Sequence, residues 1–135
     1  MIDRIRPEIR SNNMSKIRAK NTKPELIVRK LVYKLGYRYR VNLAELPGSP
    51  DLVFSRKKKI IFIHGCFWHR HFECKYAQTP MSNIEFWEAK FDRNVARDIE
   101  VDQKLTRLGW EVLVIWECET RHPTILIPRI TAFLS

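Results

Sequence analysis

The chain has 135 residues, of which 44% are apolar and 30% charged, a balance typical of one soluble globular domain. Its 25 Lys and Arg against 15 Asp and Glu give a formal net charge of +10. That excess favours a polyanionic partner, and nucleic acid over an acidic membrane, since no basic amphipathic helix has a bare apolar face. No apolar run approaches a membrane span and the first residues lack a signal core, so the default location is cytoplasmic.

The first 36 residues divide into an arm and a helix. Residues 1–21 are basic and polar without a helical or strand period, and we expect an arm outside the core. The stretch 22-TKPELIVRKLVYKLG-36 predicts a helix. Thr22 and Glu25 form a capping box at its start, and Gly36 supplies its end.

The rest of the chain predicts a mixed sheet flanked by helices. Strands are predicted at 37–43, 51–54 and 59–64, the last two joined as a hairpin by the charged run 56–59, which reads most simply as a solvated tip. In strand 59–64 the odd-numbered and the even-numbered residues are both mostly apolar, so both faces of the strand should be covered by protein. A capping box of Ser82 and Glu85 and the glycine at 109 delimit a helix over 83–108. A strand at 111–116 follows, and 122–135 should contain a helix whose start Pro128 leaves open. The order α-β-β-β-α-β-α indicates one α/β domain over 22–135.

One carboxylate on the long helix lies where apolar residues are expected. At 100° per residue an arc of about 80° contains Trp87, Phe91, Val95, Asp98, Asp102 and Leu105. Asp98 therefore faces the core, where a carboxylate needs an ionic partner or a metal. A salt bridge with a neighbouring Arg or Lys and a functional role are both open.

Asp51 follows the turn 47-PGSP-50 and opens a strand, and the next strand ends in His64. A Pro-Asp pair at a strand start resembles the layout of PD-(D/E)xK nucleases, in which the Asp binds Mg²⁺. The acid-x-Lys motif expected on the next strand is replaced by Ile63, His64 and Gly65. The dipeptide alone is weak support for a nuclease.

All three cysteines and one histidine have the spacing of a zinc site. Cys66 and His71 are followed by Cys74 and, after the last strand, by Cys118. Three thiolates and one imidazole close a tetrahedral set, so the ion would be structural rather than catalytic. The alternative is three unrelated buried thiols.

The segment 62-FIHGCFWHRHFEC-74 also contains residues that this set does not use. His64 and His69 are either core histidines or, since both lie near the strand that carries Asp51, general acid–base groups. The rings of Phe67 and Trp68 lie between zinc ligands. They could be held rigid for use outside the protein, for example as a wedge between base pairs.

Five segments resemble one known family in order and content: 10-RSNNMSKIRAKNTKPE-25, 46-LPGSPDLVF-54, 61-IFIHGCFWHRHFEC-74, 86-FWEAKFDRNVARD-98 and 109-GWEVLVIWEC-118. They resemble the very short patch repair (Vsr) endonucleases, bacterial enzymes that nick DNA at T·G mismatches formed when 5-methylcytosine deaminates. The resemblance implies a variant PD-(D/E)xK (restriction-endonuclease-like) fold with a structural zinc site. It also implies a nick on the 5′ side of the thymine and a DNA-contacting arm at 1–21.

The resemblance further implies a role for each site residue. Two Mg²⁺ ions would be held in part by the side chain of Asp51 and the backbone carbonyl of Ile63. Water around these ions would be held by Glu25, His64, His69 and Asp98. Our own preference for the general base is His69, with His64 as the open alternative. One zinc would be held by Cys66, His71, Cys74 and Cys118. The residues expected to intercalate are Phe67, Trp68 and Trp87 in the major groove and Met14 in the minor groove.

Two features depart from or compete with the family pattern. The loop from His71 to Cys74 is one residue longer than in the family, with fewer histidines nearby, which affects only the expected loop shape. Glu25 would serve a capping box whether or not it serves catalysis, and both roles can hold.

The expected partner is double-stranded DNA with a T·G mismatch, and mismatch-repair proteins are candidate protein partners. We expect the protein to be a monomer, to bind no membrane and to be cytoplasmic and associated with the nucleoid. Two other functions are open. One is a non-catalytic zinc-stabilised DNA-binding module, and the other is a PD-(D/E)xK restriction enzyme that cuts both strands.

Overall fold

Residues 22–135, which the computed structural model describes, form a mixed α/β fold. Its helices and strands in chain order are α1 (Lys23–Lys34), β1 (Arg40–Val41), β2 (Leu52–Phe54), β3 (Lys59–His64), α2 (Cys66–His69), α3 (Ile84–Arg107), β4 (Glu111–Trp116) and α4 (Pro123–Leu134). Short 3-10 turns at Lys75–Ala77 and Glu117–Arg121 lie before α3 and α4. The predicted arm at 1–21, with Met14, lies outside the described residues.

The four strands form one sheet in the order β1-β2-β3-β4. β1 pairs antiparallel with β2, and β2 antiparallel with β3, so the predicted hairpin is confirmed. β3 pairs parallel with β4 over its full length, from Lys59 opposite Glu111 to His64 opposite Trp116. The predicted mixed sheet is therefore confirmed. The carboxyl ends of β3 and β4 thus lie at the same end of the sheet.

Both faces of β3 are covered, as its apolar composition predicts. Alternate strand residues pack against α1 and α4 on one face, in a core of Leu52, Phe54, Ile61 and Ile115 with Val28, Val32, Leu126, Ile130 and Leu134. The other face packs against α3 in a smaller core of Val53, Ile60, Phe62 and Leu105. Burying each such side chain stabilises the fold by roughly 1.5–3 kcal/mol.

The helix boundaries confirm one capping prediction and correct another. The Thr22–Glu25 capping box at the start of α1 is present, with Thr22 N donating to Glu25 Oε2 at 2.9 Å. The predicted box of Ser82 and Glu85 is wrong. The residue that caps α3 is Asn83, which takes the left-handed conformation (φ 55°) and makes no side-chain capping bond. Asn tolerates that conformation better than most residues.

Two other elements differ from expectation, while the helix predicted within 122–135 is confirmed and begins at Pro123. The predicted strand at 37–43 is reduced to Arg40–Val41, and the positive φ of Asn42 (47°) turns the chain out of the strand at its carboxyl end. The segment at 66–69, predicted as loop, forms the single helical turn α2. Pro128 lies inside α4, where it costs one hydrogen bond. The three fully buried side chains of that helix offset the loss.

None of the helices in the described part of the chain is both long and apolar enough to cross a membrane.

Candidate active site and metal centre

A cleft of about 900 Å³ opens at the carboxyl ends of β3 and β4. Its walls come from the start of α1, the turn before β2, the end of β3 and one face of α3. Gly48 brings that turn close to α3: its φ is +76°, and an added Cβ would lie 2.7 Å from Val101 Cγ1. A side chain at position 48 would push the turn, and with it Asp51, away from the cleft.

Asp51 lies at the floor of this cleft, at the start of β2. Its Oδ2 accepts a hydrogen bond from Ile63 N at 2.7 Å. Burial raises the pKa of Asp51 to about 8, and the neighbouring Glu25 raises it too, while the Ile63 bond and Arg29 act in the opposite direction. A buried carboxylate held so close to a second one is strongly favoured as a cation ligand.

The backbone carbonyl of Ile63 points to the same side of the strand as its N–H, towards Asp51. The register of Leu52 opposite Ile61 places Pro50 opposite Ile63. Proline has no N–H, so it cannot donate to that carbonyl as an ordinary strand neighbour would. The carbonyl and the Asp51 carboxylate are thus hard oxygen donors on one side of β3, which fits a hydrated Mg²⁺.

Glu25 combines its capping role with a place in the cleft. The residue is only 4% exposed, and Arg29 Nη2 lies 3.8 Å from its Oε2. Because an N3 glutamate lies at the mouth of its helix, the side chain that closes the capping box also faces the site of Asp51. The two interpretations of Glu25 are therefore compatible.

The two histidines left over from the zinc set form a trio with Asp98. The rings of His64 and His69 stack with centroids 3.9 Å apart and planes within 7°. His69 Nδ1 lies 2.6 Å from Asp98 Oδ2, so within residues 22–135 the partner of Asp98 is a histidine rather than Arg or Lys. Burial and the neighbouring His69 lower the pKa of His64 to about 4, against the opposing charge of Asp98. His64 is therefore neutral near pH 7.

The ligand atoms of His64, His69 and Asp98 lie within 4.8 Å of one another, but their geometry does not suit one shared metal ion. An imidazole lone pair lies in the plane of its ring, and two stacked rings with centroids 3.9 Å apart and planes within 7° cannot both direct a lone pair at the same ion. With Nδ1 of His69 bonded to Asp98, its Nε2 is the nitrogen left to meet water or substrate. The trio is better suited to holding water and protons.

The wheel prediction for α3 holds in part. Phe91 and Leu105 are buried and Asp98 is half-buried, whereas Asp102 on the same arc is exposed at the rim of the cleft. The open cleft replaces the expected core along this part of the helix.

The four predicted zinc ligands come together on the other side of α2. Their ligand atoms lie within 4.8 Å of one another. Sγ of Cys66 and Sγ of Cys118 lie 3.6 and 3.4 Å from His71 Nδ1. Zn–S and Zn–N bonds of about 2.3 and 2.1 Å at a tetrahedral angle place sulfur and nitrogen about 3.6 Å apart. The donors therefore fit zinc in both chemistry and size.

Contacts around the cluster orient its ligands. Cys118 N donates to Cys66 Sγ at 3.4 Å, and the His71 ring stacks on Trp116 with centroids 4.3 Å apart. Burial raises the pKa of the Cys66 thiol to about 12 and also raises that of Cys118. A buried thiolate needs a cation to offset its desolvation, and zinc would supply one.

The predicted intercalating rings form a half-buried cluster between α2 and α3. Phe67 lies 5.0 Å from both Trp68 and Phe91 and 5.5 Å from Trp87, each time edge to face. The expectation that zinc keeps these rings from folding inward is only partly met, since Phe67 packs against the buried Phe91. Trp68 also lines the cleft, so the cluster and the acid–base groups share one wall.

Comparison with known proteins identifies the family. The sequence profile described as DNA mismatch endonuclease Vsr matches residues 2–76, more than half of the chain. The chain belongs to the Vsr family.

Full-length relatives agree with this assignment. The chain is 44% identical over all its residues, and 98% of the other protein, to the Type II nicking enzyme V.XorIIP of Xanthomonas oryzae pv. oryzae. It is 42% identical to the Type II nicking enzyme V.NmeAIP of Neisseria meningitidis serogroup A, over 96% of this chain and 92% of that one. The DNA mismatch endonuclease Vsr of Escherichia coli (strain K12) is 42% identical over 83% of this chain and 71% of its own.

Two residues that our sequence analysis assigned no role support the aromatic cluster in this Vsr family member. Asn94 Nδ2 donates to the carbonyl of Trp68 at 3.2 Å. The Arg70 guanidinium lies 4.0 Å above the Phe91 ring and donates to Thr79 Oγ1 at 2.8 Å. The helical wheel places Asn94 beside the cleft arc, which could have indicated it. Nothing in the sequence singles out Arg70, because its contacts join three separate segments.

Proposed function

We propose that this protein is a Mg²⁺-dependent DNA mismatch endonuclease that nicks one strand on the 5′ side of the thymine in T·G mismatches. The observation that carries the proposal is the common lining of one cleft, which includes Trp68 of the aromatic cluster, the His69–Asp98 pair and Asp51. Membership of the Vsr family and the nicking-enzyme names of the relatives support an endonuclease.

Two of the residues would hold the catalytic metal. The Asp51 carboxylate and the Ile63 carbonyl offer hard oxygen donors, and Glu25, His64 and Asp98 would orient the water around them. When bound, Mg²⁺ supplies stabilisation of the charge that develops on the scissile phosphate and the leaving oxygen. Because the cleft lining without metal carries three cationic side chains against five carboxylates, bound cations would also reduce its repulsion of phosphate.

His69 would act as the general base. Its Nδ1 is held by Asp98, which fixes the ring and stabilises the imidazolium that forms when Nε2 takes a proton from the attacking water. That water attacks phosphorus, one P–O bond breaks, and the leaving oxygen departs with a proton from solvent. His64 stacks on one face of the His69 ring. Because His64 is neutral, it would place no positive charge beside the imidazolium that forms on His69.

The aromatic cluster would supply mismatch preference. Inserting Phe67, Trp68 and Trp87 beside a base step costs a few kcal/mol of unstacking, and less at a mispair. Stacking on the rings returns roughly 1–3 kcal/mol per base. The basic arm at 1–21 and its Met14 would contact the duplex from the minor-groove side.

The four-ligand cluster would hold one structural zinc. We also assign the domain to the PD-(D/E)xK class, because Asp51 opens the first strand of an antiparallel hairpin whose second strand pairs parallel with β4. The acid-x-Lys motif of that class is absent from the end of β3, where Ile63, His64 and Gly65 stand in its place.

Incubation with matched and T·G duplexes, each strand labelled separately, tests this function. We expect Mg²⁺-dependent cleavage of the thymine strand alone. Cleavage of both strands of matched DNA would indicate a restriction enzyme, and binding without cleavage would indicate a non-catalytic module. Asp51→Ala should abolish nicking while T·G binding survives; loss of both together would contradict its role as a metal ligand.

A further inference from the structure

The positive charge of the described residues is not concentrated at the cleft. Residues 1–21 hold 6 of the 25 Lys and Arg and 2 of the 15 Asp and Glu, which leaves 19 and 13 for residues 22–135. The cleft lining has more carboxylates than cations. The cationic excess of residues 22–135 therefore lies on other surfaces.

Much of this excess gathers at the turn between β2 and β3. Arg56, Lys57 and Lys58 are exposed there. Because Arg40 lies opposite Val53 in the antiparallel pair of β1 and β2, Arg38, two residues before Arg40, lies beside the turn and is also exposed. Glu111, which begins β4 at this end, lies 3.8 Å from Lys59 and offsets that lysine rather than these four. We call the four exposed cations the far-end surface.

Aromatic rings order three of these four cations without neutralising them. Arg38 lies 3.9 Å above the Tyr33 ring, and Lys58 lies 4.6 Å above Trp110. Lys57 lies 5.7 Å from the Tyr37 ring. A cation–π contact holds the side chain in place and leaves N–H groups available to an anion; in Arg38, Nη1 also donates to the Tyr37 carbonyl at 3.3 Å. The sequence alone favoured a solvated tip here, but solvation does not require ordered cations.

The far-end surface faces away from the cleft. β3 begins at Lys59 beside the turn and ends at His64 in the cleft, and five steps of about 3.3 Å separate the two by roughly 17 Å. The parallel strand β4 and the long helix α3 run between the same two ends. A duplex docked in the cleft lies against the opposite end of the sheet.

We propose that the far-end surface binds the phosphate backbone of a second duplex segment while the cleft holds the first. The inference rests on the proposed DNA endonuclease function. Four cations with flanking rings fit a regular array of phosphates. Each of its three rings lies against a cation, although Tyr33 remains 56% exposed, so charge rather than an isolated aromatic anchor dominates the surface. Two such sites would let the enzyme pass directly between segments as it searches for a mismatch.

A transfer experiment tests this proposal. The full-length protein is bound to a fluorescent matched duplex of about 20 base pairs and chased with increasing unlabelled duplex. Direct transfer makes the apparent dissociation rate rise with chase concentration, whereas a single site gives a constant rate. Arg56→Gln/Lys57→Gln/Lys58→Gln should remove that rise. Because the variant can neutralise three fewer phosphates, the salt slope for the second duplex should fall by about 2.7.

The control removes equal charge elsewhere, in Lys30→Gln/Lys75→Gln/Arg121→Gln, three exposed positions outside both surfaces, and should transfer like the wild type. Single-turnover nicking of a short T·G duplex is measured in parallel and should be unchanged by the far-end variant. A constant dissociation rate in the wild type, or equal loss in both variants, overturns the proposal. The proposal is also overturned if the far-end variant loses short-duplex nicking as much as it loses transfer, because the turn would then contact the duplex that is bound in the cleft. Failure of the wild type to nick T·G DNA would refute the proposed function instead.

Discussion

Replacing Asp51 with asparagine should abolish nicking and at the same time stabilise the Mg²⁺-free protein. Burial and Glu25 raise the pKa of Asp51 from 3.8 to about 8, so the fold disfavours its ionised form. The asparagine Oδ1 can still accept from Ile63 N, and its amide can donate to Glu25. The variant therefore keeps the local hydrogen bonds and loses only the charge.

The sign of the pH dependence follows from the raised pKa. Below about pH 4 Asp51 is protonated in both the folded and unfolded states. The ionisation of Asp51 should then make no difference between the free energies of unfolding of the wild type and the variant. As pH rises to about 8 the folded wild type loses stability that the asparagine variant keeps. A shift of this size corresponds to at most about 6 kcal/mol. Water in the open cleft screens the charge, so we expect about 1–3 kcal/mol at pH 8.5, or roughly 3–10 °C in Tm.

Thermal unfolding from pH 4 to 8.5 measures this difference. Mg²⁺ is simply omitted, because a chelator would also remove metal from the cysteine cluster. Asp102→Asn, at the exposed rim of the same cleft, is the matched control and should leave Tm unchanged. If Asp51→Asn is no more stable than the wild type at pH 8.5, or if its gain in Tm over the wild type does not grow with pH, the fold does not disfavour the ionised form of Asp51.

Four further changes probe the rest of the site. Trp68→Ala should weaken T·G binding more than matched binding, by about 1–3 kcal/mol in a fluorescence titration, and equal losses would contradict the wedge role. Asp98→Asn should slow single-turnover nicking about 10²-fold or more with little change in duplex affinity; an unchanged rate would remove His69 as the oriented base. Arg70→Lys keeps the charge but loses the planar contact with Phe91, so it should reduce discrimination between T·G and matched duplexes. The salt dependence of matched binding should stay the same, and a change in that dependence would mean that Arg70 acts only through its charge. Cys118→Ser should lower the zinc content measured by metal analysis from one ion per chain and reduce Tm, and full zinc content would exclude this cysteine as a ligand.

The position of these residues explains how a small cleft could both recognise and cut. α2 is a single turn that begins at buried Cys66 and ends at Arg70 in a left-handed conformation. Cys66 joins that turn to the cysteine–histidine cluster, and His69 at its end reaches Asp98. Phe67 and Trp68 between them reach α3. The proposed mismatch probe and the proposed proton acceptor thus belong to one helical turn of four residues.

The sequence by itself determined the parts that depend on local patterns. Strand 59–64 could be predicted as buried on both faces because both of its parities are apolar, and the α1 cap because Thr22 and Glu25 have the required spacing. The membership of the cysteine cluster could also be predicted, since ligand type and spacing restrict the choice. Tertiary structure alone decided contacts between segments far apart in the chain. It paired Asp98 with His69 rather than with Arg or Lys, folded Phe67 against Phe91, and left Asp102 exposed where a cleft replaces the core. Periodicity specifies which face of a helix turns inward, but not whether protein or water lies there.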